Sequence, residues 1–396
     1  MSRAFLICPE PVRAVTAGVG TRFLTLAQVL AEAGHEVTLA VPNDPDEAAP
    51  PSEGVKIVKA DPERLGEQAG RHDWVLLHGH LGNHYLSQRD DLPVVVDLYD
   101  PFLVENLHYH RELGFEPFTT DHATWRLQMA RGDLSTLERL IVELPFGVPE
   151  GPPPPPPARS DVLAGVEDGA PVLYFVGIYD WYDPEVVLAA LPTMLERNSD
   201  MVLVFVEHPH PELTPLTAAA RTRKFAEKLG LLGSNVRFEA WRPFDRRFEL
   251  AQVSDLAVVT HRPGLETDLS LRTRLVDLMW LGLPAVVTAG GVMAGVVGNE
   301  GAGAVIPAGD PSALAVAVNE LLADDDRRHR ASEAARSWAA GRRWRHVASP
   351  LLEFAAAPRR DPHRERFDEL APGAVVGEEP LLRRIQRALR RQRGGR

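Results

Sequence analysis

Short apolar runs alternate with helix-length amphipathic stretches along most of this chain. Residues 4–8 form a brief apolar run stopped by Pro-Glu-Pro. A loop carrying Gly18 and Gly20 then leads into apolar periodicity from 22 to 33, and Gly34 stands where a helix would be capped. Residues 36–41 return to strand character, completing one βαβ unit of a parallel sheet. Runs at 55–58, 74–77, 94–96 and 140–144 predict further strands. Six consecutive prolines at 152–157 follow, a stiff spacer that neither a helix nor a sheet interior accepts. The alternation then restarts, with strands at 172–176, 201–206, 236–239, 256–260 and 285–288 and helices at 184–197 and 214–229. The pattern predicts an α/β chain of two Rossmann-like, doubly wound domains facing across a cleft. Residues 1–150 and 171–345 form the domains, 151–170 the proline-rich linker, 346–357 a C-terminal helix and 358–396 a basic tail. Ligands of such a pair belong in the cleft, near the carboxyl ends of the strands.

Within the second domain, residues 266–284 concentrate the chemistry. Glu266, Ser270, Arg272 and Arg274 are expected on a loop ahead of an apolar helix, LVDLMWLG, whose single acid is Asp277. A helix N-terminus flanked by arginines suits a phosphate, because backbone N–H groups and the helix dipole point at the anion. A nearby carboxylate can accept ribose hydroxyls. Together these are the ingredients of a nucleotide-sugar site.

Composition narrows the picture. The net charge of −12 argues against general nucleic-acid binding. Lys56, Lys59, Lys224 and Lys228 are the only lysines among 43 basic residues, a bias expected of a GC-rich coding sequence. Cys8 is the only cysteine, so no internal disulfide can form and the cytoplasm is the default expectation. The first apolar run is too short for a signal peptide, and no later run is long enough to span a bilayer. In the tail, Leu381, Leu382, Ile385 and Leu389 share a helical face among seven arginines. That suits peripheral contact with an anionic membrane surface, and a frayed solvated terminus fits equally well.

Several motifs occur in a telling order. TAGVGTRFLTLAQVLAEAGHEVTLAVP opens the chain and PFGVP stands at 145–149. VGIYDWYDPEVVLAAL, EHPHP, NVRFEAWRPFDRR, the 266–284 stretch, AGG at 289–291 and GAGAVIPAGDPSALAVAV follow. The ordered set resembles the retaining glycosyltransferase family 4, the "group 1" glycosyl transferases of GT-B fold, across roughly residues 1–357. The resemblance implies a donor site in the second domain, built from Gly177, Trp181, His208, Glu266, Ser270, Arg272, Arg274 and Asp277. It also implies an acceptor side in the first domain and a metal-independent transfer with retention. The only co-substrate implied is a nucleotide diphosphate sugar, with no cofactor.

The chain departs from the family pattern in ways that resemble a variant branch. Of the usual glutamate pair eight positions apart, the second is Asp277, and the first falls at Leu269, with Glu266 three residues earlier as substitute. The loop 177–184 lacks the usual arginine and lysine and carries Tyr179, Asp180, Trp181 and Asp183 instead; Arg272 and Arg274 are the replacements expected. Tyr99 stands where the family often has a histidine. Tyr99, Asp100 and Asp97 are therefore the catalytic candidates, either aspartate orienting or deprotonating the acceptor. The join from Leu134 to Ser135 lacks the strand, serine turn and helix expected there.

Other candidates carry two readings each. Gly18, Gly20 and Arg22 could cradle a phosphate or admit the acceptor, or simply form a tight βα turn. Trp181 could stack on a base or fill the core. His208 follows a strand and is expected to face the cleft, with or without a contact to the donor. His35 is expected to be structural. His78, His80, His84, His108 and His110 follow no zinc spacing and are expected in loops, and the run 324–326 is expected at a helix end. The functional expectation is a glycosyltransferase acting on a lipid-linked or small-molecule acceptor in cell-envelope polysaccharide or glycolipid synthesis. The alternatives are a nucleotide-sugar epimerase on the same fold and a non-catalytic nucleotide-sugar binder.

Overall fold

The computed structural model describes residues 1–48, 53–78, 85, 88–89, 91–98, 142–207 and 217–360. Strands β1 (Arg3–Ile7), β2 (Glu36–Val41), β3 (Val55–Lys59), β4 (Trp74–His78) and β5 (Val94–Asp97) form one parallel sheet in the order β3-β2-β1-β4-β5. Helix α1 (Gly18–Glu32) links β1 to β2 and buries Phe23, Leu24, Ala27 and Leu30. Parallel strands are covered on both faces. That is why β1 and β4 read as continuous apolar runs, β4 being buried along its whole length.

The second sheet is also parallel. Its strands are β6 (Val172–Phe175), β7 (Val202–Val206), β8 (Val236–Glu239), β9 (Leu256–Val259), β10 (Ala285–Thr288) and β11 (Gly303–Ile306), in the order β11-β10-β9-β6-β7-β8. Both orders reverse beside the first strand of their domain, which places switch points at β1/β4 and β6/β9. The connecting helices are α2 (Pro184–Leu195), α3 (Thr217–Lys228), α4 (Leu265–Leu269), α5 (Thr273–Leu281), α6 (Gly291–Glu300), α7 (Pro311–Ala323) and α8 (Asp325–Ala340). Gly282, at φ +74°, ends α5: Leu283 N–H bonds back to Leu278 C=O, and Pro284 then forbids continuation.

Two expectations fail locally. The predicted strand at 140–144 is irregular over its described part, and the Leu144 carbonyl accepts from Arg22 rather than from a neighbouring strand. The polar segment at 266 is a short helix, α4, not a loop.

The chain crosses between the domains twice, and the two crossings are bonded together. Val148 N–H donates to Arg342 C=O at 2.8 Å and Trp344 N–H to Val148 C=O at 2.9 Å. Gly147 fits here because a Cβ would come within 2.9 Å of Trp344. The last helices, α9 (Trp344–Val347) and α10 (Ser349–Ala356), lie against the first domain. Trp74 meets Phe354 edge-on at 5.3 Å, and Ser2 Oγ donates to Ala355 C=O at 2.7 Å. Within the linker, Pro154 C=O accepts from Gln252 of the second domain.

Candidate active site

A cleft lined by both domains and partly open to solvent lies between them. Thr16, Ala17, Gly18 and Thr21 line it from the first domain; Tyr174, Trp241, Phe244, Arg247, Arg274 and Asp277 line it from the second. The first turn of α5 opens into it, with no side chain capping that helix. One turn further on, Asp277 points to the same space.

Asp277 is the principal electrostatic feature of the cleft. Burial pushes its carboxyl up to about 7, against the opposing pull of Arg247 and Arg274. Among the described residues no donor bonds its oxygens, so they remain open to a ligand's hydroxyls.

Arg274 reaches across from α5 to β6. It donates to Val176 C=O and, at 3.0 Å, to Tyr179 Oη, with its guanidinium 4.0 Å from the centre of the Trp241 ring. Gly177 makes this route possible. Its φ is +115°, and a Cβ there would collide with the Arg274 guanidinium. Gly177, expected to touch the donor, acts instead on Arg274.

The other half of the expected donor site is closed upon itself. Glu266 is 2% exposed and accepts from both terminal nitrogens of Arg272 at 2.6 Å and from Ser270 Oγ at 2.8 Å. This bidentate pair, sealed under the Tyr182 ring, fixes α4 to the start of α5. Glu266, Ser270 and Arg272, all expected at the donor, are bonded to one another here, Glu266 accepting from the other two. Trp181 is likewise engaged within the protein: it is 7% exposed and stacks on Tyr179 at 4.8 Å, inside the core.

The first-domain candidates are also paired. Arg22 donates to both oxygens of Asp97, at 2.8 and 2.9 Å, and to Leu144 C=O at 2.9 Å. Asp97, expected as a catalytic acid or base, and Arg22, expected near a phosphate or the acceptor, are therefore each other's partners in this structure. Gly18 opens α1 and lines the cleft, but Gly20 belongs to the first helical turn, where its N–H donates to Glu10 at 3.2 Å. An acid therefore already occupies this helix N-terminus, against the phosphate reading of these glycines. Gly20 is also pressed against Thr16, whose Cγ2 would lie 2.6 Å from an added Cβ.

Tyr99, Asp100, His208, His80, His84, His108, His110, the 134–135 join and the tail beyond 360 lie outside the described residues. His78 ends β4 and is buried. His35 is structural, its Nδ1 2.9 Å from Ser2 Oγ. Asp324 caps the start of α8 by accepting from Arg327 N–H. Among the described residues no group of three or more His, Cys, Asp or Glu is placed to hold a metal, and no helix is long and apolar enough to cross a membrane.

Sequence reading missed Trp241, Arg247 and His261. The first two sit in a segment, AWRPFDRR, whose role depends on a long-range approach to α5 that no local pattern encodes. His261 follows β9 at the switch point; burial and the nearby Arg272 lower its pKa to about 4, so it is neutral at physiological pH.

The fold and its interdomain cleft define the class: two Rossmann-like domains in the GT-B arrangement. Residues 164–338 match the family model described as "Glycosyl transferases group 1". The chain is 30% identical over 191 residues to a D-inositol 3-phosphate glycosyltransferase of Corynebacterium urealyticum, a match covering 48% of this chain and 44% of that protein. The chain thus spans less than half the length of that relative. A phosphatidyl-myo-inositol mannosyltransferase of Mycolicibacterium smegmatis is 24% identical over 361 residues, covering 82% of this chain and 86% of the relative. Among solved structures, sucrose-phosphate synthase of Thermosynechococcus elongatus superposes with a TM-score of 0.63 at 17% identity, covering 93% of this chain and all of its own. Anabaena HepE, in complex with UDP and glucose, gives 0.63 at 13% identity, covering 90% and 100%. The residues matched by the family model make up most of the second domain.

Proposed function

We propose that the protein transfers a sugar from a nucleotide diphosphate sugar to an acceptor hydroxyl, with the nucleotide held by the second domain. The observation that carries this reading is the grouping of Asp277 and Arg274 at the uncapped N-terminus of α5, inside the interdomain cleft. Asp277 accepts the ribose hydroxyls. Arg274, with the first-turn N–H groups of α5, faces the diphosphate and stabilises the charge that builds on the leaving group. That is preorganised electrostatics, and it requires no metal. The match to the group 1 family supports the reading, as do the HepE structures determined with UDP and with UDP-glucose.

We assign the protein to the retaining family 4, in a branch where an aspartate replaces the second glutamate and Glu266 has turned inward to Arg272. The acceptor is a hydroxyl of a lipid-linked or small polyol substrate, in keeping with the inositol-directed names of its relatives. Such an enzyme works in the cytoplasm, at or near the membrane, in glycolipid or cell-envelope polysaccharide synthesis. Screening UDP-, GDP- and ADP-sugars for binding and for hydrolysis or transfer tests the reading. Saturable binding with release of the nucleoside diphosphate is expected; a protein that binds none of them refutes it.

A further inference from the structure

Arg247 makes no ion pair among the described residues, yet it is firmly held. Its guanidinium lies 3.9 Å from the centre of the Phe244 ring and 4.1 Å from that of Phe248, and Nη1 donates to Phe244 C=O. It lines the same cleft as Asp277 without reaching ion-pair distance of it. The charged and titratable groups facing that carboxylate are few. Tyr174 comes from β6, Arg274 from α5, and Arg242 and Arg247 from the segment after β8, while the first domain contributes only uncharged residues to the lining. Arg242 is occupied by Val162 C=O and Glu239.

A buried carboxylate meets two opposite failures. In direct contact with an arginine it is occupied, as Glu266 is by Arg272. With no cation near, desolvation protonates it and it can no longer accept two hydroxyls. We propose that Arg247 is a positioning residue that avoids both: clamped between two aromatic rings at a fixed stand-off, it favours the ionised form of Asp277 and leaves it uncommitted, ready for a vicinal pair of nucleotide hydroxyls. This deepens the nucleotide reading given above and rests on it for the ligand. The Asp277 carboxyl stands at about 7, so at neutral pH a modest change in the neighbouring charge decides its state. Arg247 itself stays charged, although burial lowers its pKa.

The test compares wild type, Arg247→Gln and Arg247→Lys. The Asp277 carboxyl is titrated by 13C NMR in the ligand-free protein, its signal assigned by its loss in Asp277→Asn. UDP affinity is measured by calorimetry at pH 7 and pH 9. Removing the charge should raise the carboxyl midpoint by about one unit or more. UDP affinity at pH 7 should then fall about fivefold and recover at pH 9, where the carboxyl is ionised in both proteins. Arg247→Lys should stay near wild type in both readouts. An unmoved midpoint in a folded Arg247→Gln protein overturns the proposal, as does an affinity loss that persists at pH 9. If wild type binds none of UDP, GDP and ADP, the nucleotide reading falls while the carboxyl titration still decides the role of Arg247.

Discussion

Two carboxylates eleven residues apart, Glu266 and Asp277, have opposite fates in the structure. Glu266 is consumed by Arg272 and Ser270, whereas Asp277 keeps its oxygens for the cleft. Removing one partner of a buried ion pair leaves the other charge stranded, so Glu266→Gln should cost about 3–5 kcal/mol. Chemical denaturation checks this, and replacing both partners by apolar residues of similar size should cost less. Asp277 behaves in the reverse sense. Its folded-state pKa of about 7 lies above the ordinary 3.8, so protonation favours the folded state. That contribution is complete below pH 3.8 and is lost as the pH rises through 7. Asp277→Asn, which removes the buried charge, should therefore stabilise the protein at pH 8 by up to about 4 kcal/mol. The gain should shrink toward pH 5, as thermal unfolding at the two pH values would show. The same substitution should abolish nucleotide binding, a trade of stability for function expected where a site holds an uncompensated charge.

At the level of elements, the strand–helix alternation was legible because parallel strands are apolar on both faces and their helices end on glycines. β2, β8 and β10 occur at their predicted positions, and most other boundaries move by one or two residues. α1 begins earlier than predicted, at Gly18, because Glu10 satisfies an N–H of its first turn from ten residues upstream. The segment 140–144 has strand composition, yet its described part serves the crossing between the domains. The site was legible in part. Asp277, Arg274 and Gly177 stand out by residue type, but type alone cannot separate a ligand-facing arginine from one buried on Glu266. That distinction depends on α4 folding back over the start of α5. Gly177 offers a test at this scale. Gly177→Ala places a Cβ against Arg274 at a φ of +115°, so Arg274 must leave Val176. Nucleotide affinity should fall at least about tenfold, the worth of one charge-assisted hydrogen bond. Calorimetry would show it, with Arg274→Met giving a loss of similar size.

At the scale of the whole molecule, the two sheets carry the site jointly, and their relation is set by the paired crossings at Val148 and Arg342–Trp344. The Arg22–Asp97 pair adjoins this region through Leu144, and the Arg22 guanidinium lies 6.0 Å from the Trp344 ring centre. Asp97→Asn should therefore lower the melting temperature by several degrees while leaving nucleotide binding by the second domain intact. Two domains in series were expected from the proline run and the restarted alternation. A C-terminal helix was expected at 346–357, but its return to Trp74 and Ser2 could not be read from local pattern, because its apolar face matches a surface distant in sequence. The most direct measurement of the central claim is UDP binding by calorimetry to wild type, Asp277→Asn and Arg274→Met, with folding verified for each. Saturable binding to wild type, lost in Asp277→Asn and weakened at least about tenfold in Arg274→Met, is the predicted result. Binding that survives both substitutions, or no binding of UDP, GDP or ADP to wild type at millimolar concentration, would contradict the placement of a nucleotide at the start of α5.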